Sequence, residues 1–229
     1  MRSDLPSSGL TYAVDLALCV DATGSMSPVL RMVKSHALRF HGDVMAAMRA
    51  KQKRVEKLRA RVIVFRDLFE DSDEALTASG FFALPQDQAA FAGFLAPVGA
   101  HGGGDEPESG LEALALALRS PWVRAGDRRR HVVVVWTDAS AHPLEEAARR
   151  RGRGYPDGLP RSFAELSAFW DGEAMDRSAK RLLLYAPDVA PWTDIQDGWE
   201  NVVHIVSRAG NGLGELEYAE VLEVIANSI

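Results

Sequence analysis

Val20-Asp21-Ala22-Thr23-Gly24-Ser25-Met26 is the stretch whose reading decides the fold. An apolar run from Ala13 to Val20 leads directly into Asp21, and Ser27-Pro28 opens a helical pattern. The stretch is therefore a loop between a buried strand and a helix N-terminus. Asp21, Thr23 and Ser25 alternate along the turn, so one carboxylate and two hydroxyls can converge while Gly24 lets the backbone bend. Oxygen-only ligands of mixed charge suit a hard cation such as Mg²⁺, which keeps several waters and takes few protein carboxylates. Ser, Thr and Asp also gather where a helix is capped, so the loop by itself admits that plainer role.

Two further pieces stand outside this loop. His101-Gly102-Gly103-Gly104-Asp105-Glu106-Pro107-Glu108 is a glycine-rich loop before a helix, and Arg130-His131-Val132-Val133-Val134-Val135-Trp136-Thr137-Asp138 is a buried strand ending in an acid. Strands that alternate with helices predict a mostly parallel sheet, helices on both faces and right-handed crossovers. In such sheets ligands bind beyond the carboxyl ends of the strands, where the strand order reverses. Asp21 and Asp138 both follow buried strands directly. If those strands are neighbours, their end carboxylates face one crevice.

In chain order, residues 1–10 read as a flexible lead-in and 11–229 as a single domain. Thr11 to Val20 is the central strand. A helix is predicted from Ser27 with Val29, Val33, Ala37, Phe40, Val44 and Met48 at helical spacing, and His36 and His41 beside that stripe read as packed or solvated. The basic run Arg49, Lys51, Lys53, Arg54, Lys57, Arg59, Arg61 reads as a solvated helix end before a strand at Ala60 to Leu68. Leu76 to Leu84 is the expected antiparallel edge strand. Helices follow at Gln86 to Leu95 and from Pro107 to about Arg119, with Glu106 and Glu108 as first-turn acids and Asp105 either an ion ligand or a helix opener. Short helices are expected at Pro143 to Arg153 and Ser162 to Trp170, buried strands at Arg181 to Tyr185 and Val202 to Val206, and a closing helix at Leu216 to Ile229. Trp192 and Trp199 read as cover for the core.

The 47% hydrophobic and 25% charged composition of these 229 residues supports a sizeable core. A net charge of -6 argues against a general nucleic-acid or membrane-surface role. The lone cysteine, Cys19, lies inside the first strand and reads as a packed thiol. The start of the chain lacks the charged and apolar segments of a signal peptide, and the first apolar run is too short for a membrane span, so the expected location is the cytoplasm.

With the three segments in hand, the chain resembles a von Willebrand factor A domain, whose metal-ion-dependent adhesion site is written D-x-S/T-x-S, then a loop Thr or Asp, then a strand-end Asp. The resemblance covers nearly the whole chain. It implies a Rossmann-like, doubly wound α/β fold: a mostly parallel six-stranded sheet with one antiparallel edge strand and helices on both faces. It implies a site of Asp21, Thr23, Ser25, Asp105 and Asp138 holding Mg²⁺ (or Mn²⁺ or Ca²⁺). Thr23 replaces the commoner serine, Asp105 stands where many members have threonine, and Asp138 lies in Thr-Asp-Ala rather than Thr-Asp-Gly. A third carboxylate would reduce the cation's pull on an incoming acidic group. Arg66-Asp67 is a candidate neighbour of the site. Phe65-Arg66-Asp67, Gly102-Gly103-Gly104-Asp105-Glu106-Pro107-Glu108 and Val135-Trp136-Thr137-Asp138-Ala139 are similar to a bacterial subgroup associated with tellurite resistance. That likeness implies a non-enzymatic, metal-dependent interaction module in signalling or stress response, with a Ser/Thr protein kinase and a PP2C-type phosphatase as partners. The alternative is a Mg²⁺-dependent phosphotransferase of the haloacid dehalogenase type, because an apolar strand ending in Asp-x-x-Gly-Ser is similar to that nucleophile loop. Those enzymes place a second Asp two residues on, where this chain has Thr23.

Overall fold

The computed structural model describes residues 11–71, 75–103, 106–126, 128–150, 155–172 and 175–229. Its sheet runs in the order β3-β2-β1-β5-β6-β7, with β4 also on β2. The strands are β1 (Thr11–Asp21), β2 (Arg54–Phe65), β3 (Leu76–Ala78), β4 (Phe82–Leu84), β5 (Arg128–Trp136), β6 (Lys180–Pro187) and β7 (Val202–Ser207). Five of these are parallel to one another, while β3 and β4 run antiparallel to β2. The doubly wound, mostly parallel arrangement expected from the sequence is the observed one.

The sheet is covered on both sides, which is why its central strands are almost wholly apolar. Leu16, Leu18 and Val20 of β1, with Val132, Val134 and Trp136 of β5, pack under α1 (Ser27–His36), α2 (Phe40–Ala50), α3 (Gln88–Leu95) and α8 (Tyr218–Ser228). Ala17, Cys19, Val133 and Val135 point the other way, against α4 (Gly110–Leu118), α6 (Phe163–Asp171) and α7 (Trp192–Gly198). Between them, α5 (Leu144–Arg150) follows β5. Trp192 and Trp199 are both buried in this second layer. Burial pushes the Cys19 thiol up to about 12, as a packed cysteine requires.

Several local expectations are corrected. The helix predicted from Ser27 to Met48 breaks at residues 37–39. There the Ser35 hydroxyl and the His36 ring both bond the Met32 carbonyl, competing with the helical ladder. The edge strand is interrupted: β2 residues Leu58 to Ala60 face Leu84 to Phe82, but Ile63 to Phe65 face Ala78 to Leu76, so one extra residue is accommodated between the pieces. The Ser79 hydroxyl fills the gap by accepting from Val62 N–H at 2.9 Å. β2 begins earlier than expected, so Arg54, Lys57 and Arg59 join Arg61 as strand residues and are not part of a solvated helix end. Arg59 forks onto the buried Asp15 at 2.7 and 2.6 Å, and Arg61 donates to Ser79 O and Ser120 Oγ. The helix expected from Pro107 starts at Gly110, which frees Glu106 and Glu108 from the first turn. The sequence reading did not anticipate α7.

Candidate metal centre

β1 and β5 are parallel neighbours with Val20 opposite Trp136, so Asp21, Thr137 and Asp138 emerge at the same rim of the sheet. Asp21 is fully buried. Its Oδ2 accepts the Thr137 hydroxyl at 2.7 Å, and its Oδ1 accepts Thr23 N–H at 2.9 Å and the Thr23 hydroxyl at 2.7 Å. Burial dominates these donors and, with the Asp138 charge adding to it, pushes the Asp21 carboxyl up to about 6.

Asp138 closes the site from the other side. Its Oδ1 accepts the hydroxyl of the exposed Ser25 at 2.9 Å, and its Oδ2 accepts Gly212 N–H at 2.6 Å. Its carbonyl takes Gly210 N–H at 2.9 Å, so the turn after β7 is pinned to the same acid. Gly212 has φ +60 and sits against the Ser25 carbonyl, where a Cβ would fall 2.0 Å from the oxygen.

The hydroxyls of Thr23 and Ser25 stand 3.5 Å apart. Each donates its proton to a nearer carboxylate behind it, so neither is needed as donor to the other, and neither oxygen accepts a closer hydrogen bond from a described residue. Adjacent ligands of an octahedral ion stand about 3 Å apart at Mg²⁺ bond lengths and about 3.5 Å apart at Ca²⁺ ones.

The glycine loop is laced to this rim through its backbone. Gly24 N–H donates to Gly102 O at 3.2 Å and His101 N–H to Ala22 O at 3.0 Å. Arg66, just past β2, donates Nε to Ala22 O and His101 O at 3.1 Å each and Nη2 to Gly99 O at 2.7 Å. One guanidinium thus holds the first loop and the glycine loop together. Asp67 next to it accepts Phe69 N–H at 2.9 Å and faces His142 Nε2 at 3.1 Å, while Asp71 accepts Asp67 N–H at 3.2 Å and Gly103 N–H at 3.4 Å.

Glu108 is the residue that sequence reasoning missed. Its backbone pairs with the loop after β5, donating to Ser140 O and accepting from His142 N–H, both at 3.0 Å. The residue is 4% exposed, and among the described residues its Oε2 has no hydrogen-bond partner. Burial pushes its carboxyl up to about 9, and the charges of Asp21, Asp67, Asp71 and Asp138 act in the same direction. Glu106 turns outward instead, where Ser140 donates N–H at 3.4 Å and its hydroxyl at 3.3 Å to Oε2.

Of the five residues predicted for the site, the structure brings Asp21, Thr23, Ser25 and Asp138 together; Asp105 lies outside the described residues. Among the described residues, no group of three or more His, Cys, Asp or Glu side chains is arranged to hold a metal unaided. The donor set at the rim is mixed, hydroxyls in front of carboxylates. It suits a hard ion that retains water better than it suits a carboxylate cage. Glu108 Oε2 is one more buried oxygen in the same field that lacks a partner among the described residues.

The fold has counterparts among solved structures. Two crystal structures of the pilus adhesin SpaC from Lactobacillus rhamnosus GG match with TM-scores of 0.53 and 0.52, at 11% and 13% identity. Each match covers 94% of this chain but only 30% and 29% of the adhesin, so the chain spans about three tenths of the adhesin's length. At that identity the likeness is one of fold. No curated protein matches in sequence. Residues 15–148, more than half of the chain and including Asp21, Thr23, Ser25 and Asp138, match the family described as the von Willebrand factor A domain. The chain belongs to the von Willebrand factor A domain family.

Proposed function

We propose that the chain is a non-enzymatic, metal-dependent protein-interaction module. Thr23 and Ser25 would hold a divalent ion, Mg²⁺ with Mn²⁺ or Ca²⁺ as substitutes, while Asp21 and Asp138 supply charge from behind the hydroxyls. The observation that carries this reading is the pair of hydroxyl oxygens 3.5 Å apart, each with its proton directed onto a different carboxylate. Bound there, the ion would supply positive charge to a rim that otherwise concentrates buried carboxylates. Asp105 belongs to the proposed ligand set on the resemblance alone.

Glu108 adds weight to an expectation first drawn from Asp105. Once a bound ion has drawn the proton off Glu108, the carboxylates of Asp21, Asp138 and Glu108 together would carry more negative charge than a divalent ion, so the ion's attraction for a partner's acidic group would be weakened. The ion then organises the rim for a partner more than it captures a carboxylate. Signalling or stress response inside the cell, with a Ser/Thr protein kinase and a PP2C-type phosphatase as partners, is the reading favoured by the likeness to tellurite-resistance proteins. Among the described residues no helix is long and apolar enough to cross a membrane.

The phosphotransferase alternative finds no support at the site. Asp21 is fully buried and both its oxygens already accept hydrogen bonds, which leaves no open nucleophile. Titration calorimetry with Mg²⁺, Mn²⁺ and Ca²⁺ tests the metal reading: wild type binds, Ser25→Ala binds more weakly, and failure of all three ions to bind overturns it. A purified Ser/Thr kinase and a PP2C-type phosphatase, each titrated with and without chelator, test the partner reading.

A further inference from the structure

The amino-terminal ends of the strands, opposite the rim of Asp21 and Asp138, carry a charged cluster of the other sign. Tyr12 pairs with Val55 of β2 on one side and with Arg128 of β5 on the other, and its ring lies on the face covered by α2 and α8. Three cations stand over that ring. Arg130 Cζ is 5.4 Å from its centre, Arg128 Cζ 5.7 Å and Lys53 Nζ 6.0 Å. Arg128 also donates Nη1 to the Tyr12 hydroxyl at 2.9 Å. Arg181 pairs with Val132, two residues beyond Arg130, so Arg130 and Arg181 point to this same face.

None of these four cations pairs with a carboxylate of a described residue. Two helix ends offset part of the charge. Arg130 Nε donates to Ile229 O at 2.9 Å beside the end of α8, and Lys53 follows α2, where its N–H bonds Met48 O at 3.0 Å. A helix carboxyl end carries about half a negative charge, so the two together offset about one of the four positive charges. The surplus acts within the cluster. The Arg128 hydrogen bond, with the charges of Arg128, Arg130 and Lys53, holds the Tyr12 phenol below its ordinary value against the effect of burial. Burial and the Arg130 charge lower the Arg181 guanidinium. A chain of net charge -6 thus concentrates positive charge at one spot, which favours an anion from outside.

We propose that this cluster is a binding site for a compact phosphate dianion, held by Arg128, Arg130, Lys53 and the Tyr12 hydroxyl. Arg128 keeps Nε and Nη2 without a partner among the described residues, the pair that matches two phosphate oxygens side by side. Arg130 keeps Nη2, since its Nε and Nη1 are taken by Ile229 O and Arg129 O. Lys53 adds a point charge from the β2 side. Tyr12 accepts from Arg128, so its own proton remains to be donated, and no described residue takes it. An extended polyanion is disfavoured: beyond a Debye length of about 8–10 Å it meets a surface that is net negative.

Titration calorimetry on the full chain in chelator, at ionic strength held constant with chloride, reads this site independently of the metal rim. The probes are inorganic phosphate, pyrophosphate, phosphoserine blocked at both ends, and a short single-stranded DNA as the extended polyanion. Saturable binding of phosphate is expected, tighter for pyrophosphate. Blocked phosphoserine binding as well as inorganic phosphate would assign the site to phosphate esters, and binding more weakly would assign it to the free ion. Arg128→Gln, at an exposed position where folding is not at issue, should weaken phosphate binding roughly tenfold. Tyr12→Phe keeps the ring under the cations and should weaken it roughly threefold. Absence of saturable phosphate binding up to tens of millimolar overturns the proposal. So does an affinity unchanged in the double variant Lys53→Gln, Arg128→Gln, or DNA binding more tightly than pyrophosphate.

Discussion

Ser25 donates its hydroxyl to Asp138 across 2.9 Å, although 113 residues separate the two in the chain. Asp138 also holds Gly212 N–H at 2.6 Å, so a single carboxylate ties the first loop to the turn after β7. Asp138→Ala removes both acceptors and leaves a buried N–H unpaired. The expected cost is about 1–3 kcal/mol of stability and a roughly 10- to 100-fold loss of metal affinity. Denaturant unfolding and calorimetry check the two parts separately.

Glu108 gives the metal-free domain a pH dependence of definite sign. Its carboxyl is held up to about 9 in the folded chain against an ordinary 4.5, so the native state binds a proton that the unfolded state has lost. Its contribution to stability is full below about pH 4.5 and is lost as pH rises toward 9, by at most about 1.4 kcal/mol per pH unit. Asp21 adds the same sign between its ordinary 3.8 and about 6. Thermal melting in chelator should therefore show stability falling from about pH 5 to pH 9, with the upper part of the slope absent in Glu108→Gln. A divalent ion should reverse the slope in wild type, since it binds the ionised form. A flat melting profile in wild type would refute the assignment.

Gly103 lies in the left-handed region at φ +72, wedged between Thr23 and Glu108. A Cβ there would fall 2.8 Å from Thr23 Cβ and 2.9 Å from Glu108 Oε1. Gly103→Ala should destabilise the domain by about 1–3 kcal/mol through backbone strain and the clash. It should also displace Thr23 and weaken metal binding, whereas Gly93→Ala, inside α3 with open space around it, should leave metal binding unchanged. Paired titrations of the two variants make the comparison.

The rim was legible wherever the chemistry sits at the end of an apolar run. Leu16 to Val20 and Val132 to Trp136 announce buried parallel strands, and Asp21 and Asp138 are the first acids after them, so topology alone places both at one end. Glu108 was hidden because Asp105-Glu106-Pro107-Glu108 also has the composition of a helix opening, and the helix in fact begins only at Gly110. The break at residues 37–39 was hidden because the apolar stripe continues in phase across it; only Ser35 and His36, side chains that compete for the Met32 carbonyl, mark it. The support from Gly210 and Gly212 was equally hard to foresee. A Gly-Asn-Gly turn after an edge strand reads as a connection, and nothing local tells that its N–H groups reach Asp138.

Arg66 makes the last prediction, because it separates holding the loops from supplying charge. Its guanidinium donates to Ala22 O, His101 O and Gly99 O, three carbonyls from two different loops, and the side chain is buried. Lysine keeps the positive charge but has one nitrogen on a flexible stem and cannot span that fork. If Arg66 acted at the site through its charge alone, Arg66→Lys would leave metal affinity unchanged. If it acts by fixing the loops, Arg66→Lys should lower stability by about 1–3 kcal/mol as buried carbonyls lose their donors, and should weaken metal binding as Thr23 and the glycine loop drift apart. Faster amide exchange at His101 and Gly24, whose N–H groups bond Ala22 O and Gly102 O, should accompany the loss. Unchanged exchange at both amides together with full metal affinity would show that the fork is dispensable.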